Sequence, residues 1–177
     1  MTVRSLGHLI PRIDPSAWVS EAAYVVGDVE IGPGSSVWPG AVIRGDFAPI
    51  RIGARTHVED NCVLHTGEPM SIGDDVTMGH GVVVHCRSVG SRCLLGNNST
   101  LLDGAVVGDE CVIAAGAVLR PGVVVPDGSF AAGVPALVRA RSPEERARRR
   151  RRPPEDGDET PRGGYAAMLV RYRDAGL

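Results

Sequence analysis

An aliphatic side chain returns every six residues through most of this 177-residue chain, and no other feature constrains its fold as tightly. The row runs Ile13, Val19, Val25, Ile31, Val37, Ile43, then Ile52, Val58, Leu64, then Ile72, Met78 and Val84. After one five-residue step it continues at Val89, Leu95, Leu101, Val107, Ile113, Leu119 and Val125. Four positions after many of these comes a small residue, among them Ala23, Ser35, Ala41, Thr56, Cys62, Cys93, Ser99, Ala105, Cys111 and Ala117. Glycine often follows the aliphatic directly, as at Gly32, Gly53, Gly73, Gly90, Gly96 and Gly108. A period of six is the mark of a hexapeptide β-helix, in which each hexad supplies a short strand and a corner and three hexads close one triangular coil. The expected fold is therefore an all-β solenoid over residues 1–140.

The remaining composition agrees with that reading. With 23 glycines and 13 prolines the chain is rich in corner residues, and it holds only two Trp, three Tyr and two Phe. No apolar run approaches the ~20 residues a membrane span requires, and the first residues show no signal-peptide pattern. The four cysteines have no CxxC spacing. Cys62, Cys93 and Cys111 fall in the small interior slot of the repeat, and Cys86 beside His85 reads as a small buried residue. A reducing, cytoplasmic setting is expected.

All 19 basic residues are arginines, so Schiff-base chemistry and a P-loop lysine are excluded for this chain. Eight arginines lie between Arg139 and Arg152, yet the formal net charge is -2 and no aromatics interleave with the run. A solvated helix face is expected there rather than a nucleic-acid site. Ser142-Pro143-Glu144-Glu145 has the pattern of an N-cap, a proline at the first helical position and acids in the first turn. Residues 141–177 are expected to form a helical tail, with a helix to about Arg151, a flexible linker at 153–164 and a last helix. Tyr165, Met168, Leu169 and Tyr172 line one face of that last helix, which Gly176 closes.

Three histidines interrupt the repeat, at His65, His80 and His85. Equivalent positions on successive coils stack at ~4.8 Å. Leu64 and Val84 begin hexads one coil apart, so His65 and His85 are expected to stack, with Arg44 in the same column. A second column on the preceding face holds Asp60, His80 and Asn97. Five extended residues, roughly 16 Å of chain, separate His80 from His85. One chain can therefore offer a histidine pair but not all three to one ion, whereas side-by-side packing around a threefold axis brings His80 of one copy to the pair of the next. Three imidazoles with a fourth position left to solvent is the ligand set of catalytic zinc; iron(II) and cobalt also accept it. His8 and His57 have no such relation and are expected at the surface.

The segments VIRGD (42–46), VEDNCVLH (58–65), MGHGVVVH (78–85) and LLDGAVVGD (101–109) resemble the gamma-class carbonic anhydrases. The likeness runs from about residue 10 to 140 and resumes weakly in the last helix. It implies a left-handed β-helix, a homotrimer, and zinc shared between subunits by His65 and His85 of one chain and His80 of its neighbour. It further implies that Arg44, Asp46 and Asp60 are interface residues near the metal, and that CO2 and bicarbonate are the substrates. Glu59 stands where that family usually has a glutamine that orients water, and Glu68 has the spacing of a proton shuttle. Asn97 replaces a common methionine beside the site, and Tyr165 resembles a tyrosine that some members place at the pocket. Alternatives on the same scaffold are a metal-dependent hydrolase such as a thioesterase, a hexapeptide acyltransferase with a single histidine base, and a non-catalytic trimeric scaffold.

Overall fold

The structure is a computed structural model and describes residues 2–150 and 164–176. The chain divides into two compact units, Met1–Ala140 and Arg141–Leu177. The first is a parallel β-helix of hexapeptide repeats. Two-residue strands such as Thr77–Met78, Val83–Val84 and Ser88–Val89 follow one another around three faces. Each pairs in parallel with its counterpart on the next coil: Val58 with Met78, Met78 with Leu95, Leu64 with Val84, and Val84 with Leu101.

The periodic aliphatics form the interior. From Val25 to Val125 every member of the row is buried, while Ile13 and Val19 are partly buried at the first coil. Burying each side chain contributes roughly 1.5–3 kcal/mol, and the stack repeats that gain coil after coil. The small slot behaves as expected: Ala41, Cys62, Ser99 and Ala117 are fully buried, as are Cys93 and Cys111. Burial raises the Cys62 and Cys86 thiols to about 12, only partly opposed by backbone N–H donors.

One corner column shows how the coils lock together. The Asp74 carboxylate accepts the Ala54 N–H at 2.8 Å, Asp109 accepts that of Ser91, and Asp127 accepts that of Asp109, each from the next coil. Ser91 Oγ accepts the Asp74 N–H at 3.1 Å and completes the ladder. These acceptors replace the strand hydrogen bonds that a corner cannot make.

Where the hexad count is broken, the structure departs from two-residue strands. Three extra residues between Ile43 and Ile52 let Val42–Ile52 run as one strand of 11 residues. Its first half pairs with Val63–His65 and its second with Met70–Ile72. The preceding Tyr24–Ile31 follows the same path, with a bulge between Gly27 and Val29. At the far end Ser129–Gly133 and Ala136–Ala140 form an antiparallel hairpin through a cis Val134–Pro135 bond. Nothing in the hexad pattern announces this hairpin.

In the second unit, helix α1 spans Pro143–Arg150 and α2 spans Tyr165–Asp174. Ser142 caps α1 in a reciprocal box: its Oγ accepts the Glu145 N–H at 3.2 Å, and the Glu145 carboxylate accepts the Ser142 N–H at 2.8 Å. On α2 the Leu169 side chain is buried, with Tyr165, Met168 and Tyr172 partly so. Of the linker expected at 153–164, residues 153–163 lie outside the described residues, as does Arg151. No helix among the described residues is long and apolar enough to cross a membrane.

Candidate metal centre

Both histidine columns form as the register requires. Arg44 pairs with His65 across adjacent strands, and His85 lies one coil beyond. The His65 and His85 ring centroids are 5.5 Å apart. Two imidazoles on one tetrahedral zinc, with Zn–N near 2.0 Å, have centroids about 5 Å apart, so this spacing suits a shared ion. In the second column the Asn97 side-chain oxygen accepts the His80 backbone N–H at 3.2 Å. That bond ties the Asn97 side-chain oxygen to the backbone of the neighbouring coil.

Each of the three rings has a carboxylate on one nitrogen. His65 Nε2 lies 3.0 Å from Asp46 Oδ1, His80 Nδ1 lies 3.1 Å from Asp60 Oδ2, and His85 Nδ1 lies 3.1 Å from Asp103 Oδ1. In the His65–Asp46 hydrogen bond the carboxylate only accepts, so Nε2 of His65 carries the proton. In the neutral ring Nδ1 of His65 then holds a lone pair. Three imidazoles, each with a carboxylate nearby, are a donor set that fits zinc. Among the described residues of one chain, however, the grouping close enough to hold an ion is Glu59, Asp60 and His80, not the three histidines together.

The surrounding charges are partly internal to the chain. Arg44 forms an ion pair with Asp46, which also receives the Phe47 N–H at 3.0 Å. Burial pushes the Asp46 carboxyl up, but the hydrogen bond from Arg44, the backbone N–H and His65 together hold it below the usual carboxylate range. Glu59 is 7% exposed, and its carboxylate approaches His80 Nδ1 at 3.5 Å. Glu68 is exposed and pairs with Arg87 at 3.6 Å, across a pocket of about 230 Å³ that Thr66 and Asp103 also line. Phe47 is 76% exposed, yet its ring stands edge-on to His65 with centroids 5.7 Å apart. Tyr165 lies in α2, in the second unit.

Two residues escape the sequence reading. His57, expected at the surface, is 5% exposed: its Nδ1 bonds Ser36 Oγ at 2.8 Å, and the Trp38 indole N–H donates to the same hydroxyl. Outward-facing register on the solenoid does not guarantee exposure. Asp103, the partner of His85, follows its hexad start Leu101 by two positions, whereas His85 follows Val84 by one. Counting hexads therefore does not align the pair.

Residues 88–121 match the family model described as the hexapeptide repeat of succinyl-transferase. The chain is 46% identical over 130 residues to a carbonic anhydrase of Geobacillus kaustophilus, covering 72% of this chain and 71% of that protein. It is 40% identical over 134 residues to a mitochondrial gamma carbonic anhydrase of Arabidopsis thaliana, covering 71% of this chain and 49% of the relative. The chain thus spans about half the length of that plant relative. Among solved structures it resembles a putative acetyltransferase of Bacillus cereus, with 31% identity, a TM-score of 0.82, and coverage of 99% and 98% of the two chains.

Proposed function

Since the chain belongs to the gamma-class carbonic anhydrase-like family of hexapeptide-repeat proteins, we propose that it catalyses the reversible hydration of carbon dioxide to bicarbonate in the cytoplasm. A homotrimer would hold zinc on His65 and His85 of one copy and His80 of the next. The observation that carries the reading is the stacked His65–His85 pair at 5.5 Å, with the His65 ring hydrogen-bonded to Asp46. Zinc on three imidazoles supplies a Lewis acid with an open position, able to activate water near neutral pH.

The protein's part is positioning and proton handling. Arg44 fixes Asp46, and Asp46 fixes His65. Asp60 orients His80. Hydration releases one proton per bicarbonate, and its acceptor would be Glu59, which is largely buried with its carboxylate 3.5 Å from His80 Nδ1. Glu68, paired with Arg87 at the surface, would pass protons on to buffer. Phe47 gives the His65 side an apolar wall suited to an uncharged substrate.

A second reading, a hexapeptide acyltransferase, draws on the likeness to the putative acetyltransferase. It needs only one histidine base and leaves the stacked pair without a purpose. Metal analysis of protein purified without oxygen, combined with stopped-flow CO2 hydration on wild type and His80→Ala, separates the readings. Stoichiometric metal with hydration that His80→Ala abolishes supports the proposal. Metal-free protein that consumes acetyl-CoA would replace it with the acyltransferase, and metal-loaded protein that only hydrolyses CoA esters would favour the thioesterase.

A further inference from the structure

We propose that Asp103 is a positioning residue for His85: its carboxylate accepts the Nδ1 proton and leaves the Nε2 lone pair facing outward as a metal donor. This rests on the metal-site reading above but concerns a residue that reading does not use.

The corner that carries Asp103 does not need its side chain. The turn Leu102–Ala105 is closed by the backbone, the Ala105 N–H donating to the Leu102 carbonyl at 3.1 Å. Gly104 supplies the left-handed residue at φ +67. The Asp103 carbonyl is itself engaged by the Gly122 N–H at 2.8 Å. Elsewhere in the solenoid, corner aspartates spend their carboxylates on backbone N–H groups, as Asp74, Asp109 and Asp127 do. Asp103 does not: among the described residues its carboxylate meets the His85 ring instead, at 3.1 Å.

The five-residue step explains how it gets there. Val84 and Val89 are five residues apart, while their partners Leu101 and Val107 are six apart. The coil carrying His85 is one residue short at this corner, so Asp103 overhangs a recess rather than stacking on an equivalent side chain. The recess is the pocket bounded by Thr66, Glu68 and Arg87. A metal-binding histidine whose remote nitrogen donates to a carboxylate is held in one tautomer and is more basic; losing such a partner typically weakens metal binding 10–100-fold.

The test compares wild type with Asp103→Ala, Asp103→Glu and His85→Ala. The His85 tautomer is read from ¹⁵N chemical shifts of metal-free protein well above the histidine titration range, and zinc affinity from competition with a chromogenic chelator. The expected results are an Nδ1–H ring in wild type, loss of that preference in Asp103→Ala, and a zinc Kd weakened about 10–100-fold. Asp103→Glu should restore part of both, and thermal stability should stay at the wild-type value. An unchanged zinc Kd in Asp103→Ala, with or without a change of tautomer, overturns the role of Asp103 while leaving the metal site intact. Wild-type protein that takes up no zinc, like His85→Ala, overturns the metal reading itself.

Discussion

His85 stands one coil from His65, with ring centroids 5.5 Å apart and 57° between the ring planes. Two imidazoles so placed offer half of a tetrahedral set. His80, on the preceding face, belongs instead to the Asp60–Asn97 column. This division between two faces of the solenoid is what makes a shared site necessary if all three are to bind one ion.

Sharing has a consequence that subunit mixing can detect. His80→Ala and His85→Ala should each abolish zinc binding and hydration alone. When the two variants are unfolded together and reassembled in equal amounts, about one interface in four should join an intact pair to an intact His80, assuming a threefold ring with random assortment. Zinc uptake and hydration should return to roughly that fraction of wild type. Complementation absent from mixed trimers would mean that the three histidines do not meet between chains.

The two acids should differ in effect because their surroundings differ. Glu59→Ala removes a largely buried carboxylate beside His80, and kcat for hydration should fall about 10²-fold in weak buffer. Glu68→Ala removes an exposed carboxylate already paired with Arg87, and added imidazole buffer should make up most of its smaller loss. Stopped-flow rates at low and high buffer concentration check both. Equal losses that buffer fails to restore would assign neither acid to proton transfer.

The interior and the columns were legible because both depend only on where the backbone puts each residue. Leu64, Val84 and Leu101 begin successive hexads, and their parallel pairing follows directly. What lay beyond the pattern depends on side-chain reach or on chain that leaves the coil. Asp103 finds His85 only because one corner is a residue short. His57 faces outward by register but is buried with Ser36 and Trp38. The hairpin from Ser129 to Ala140 reverses direction, which a repeat of parallel strands cannot foretell.

Acid should weaken the corner ion pairs. The hydrogen bond from Arg55, at 2.6 Å, is the main force holding the Asp75 carboxyl below its usual range, against a smaller upward push from burial. A depressed folded-state pKa gives stability that is present above the unfolded value of about 3.9 and is lost as pH falls through the folded value. Asp75→Asn should therefore lower urea stability at neutral pH, by less than about 1 kcal/mol because the pair is solvent-screened. The gap to wild type should close near pH 2. A gap that persists in acid would place the effect in packing rather than charge.

Gly27 and Gly116 both sit at positive φ, +86 and +68, but only the first is crowded. A Cβ on Gly27 would lie 2.3 Å from the Gly45 carbonyl oxygen, a backbone atom held in the paired strand, while Gly116 has open space. Gly116→Ala should cost about 1 kcal/mol of conformational strain. Gly27→Ala adds a clash that two long strands must move to relieve, for a total above about 2 kcal/mol. Urea midpoints of the two variants give the comparison, and equal losses would mean that the long strands yield more easily than their pairing suggests.

Ser99 offers the opposite experiment. Its hydroxyl is fully buried in the small interior column between Val82 and Ala117, without a hydrogen-bond partner among the described residues. An unsatisfied buried hydroxyl costs roughly 1–3 kcal/mol of desolvation, against the small contact loss of deleting one oxygen. Alanine already fills the equivalent slot at Ala41 and Ala117. Ser99→Ala should therefore raise stability by about 1 kcal/mol, seen as a higher urea midpoint with an unchanged slope. A lower midpoint would show that the hydroxyl is satisfied in solution, for instance by a water held inside the prism.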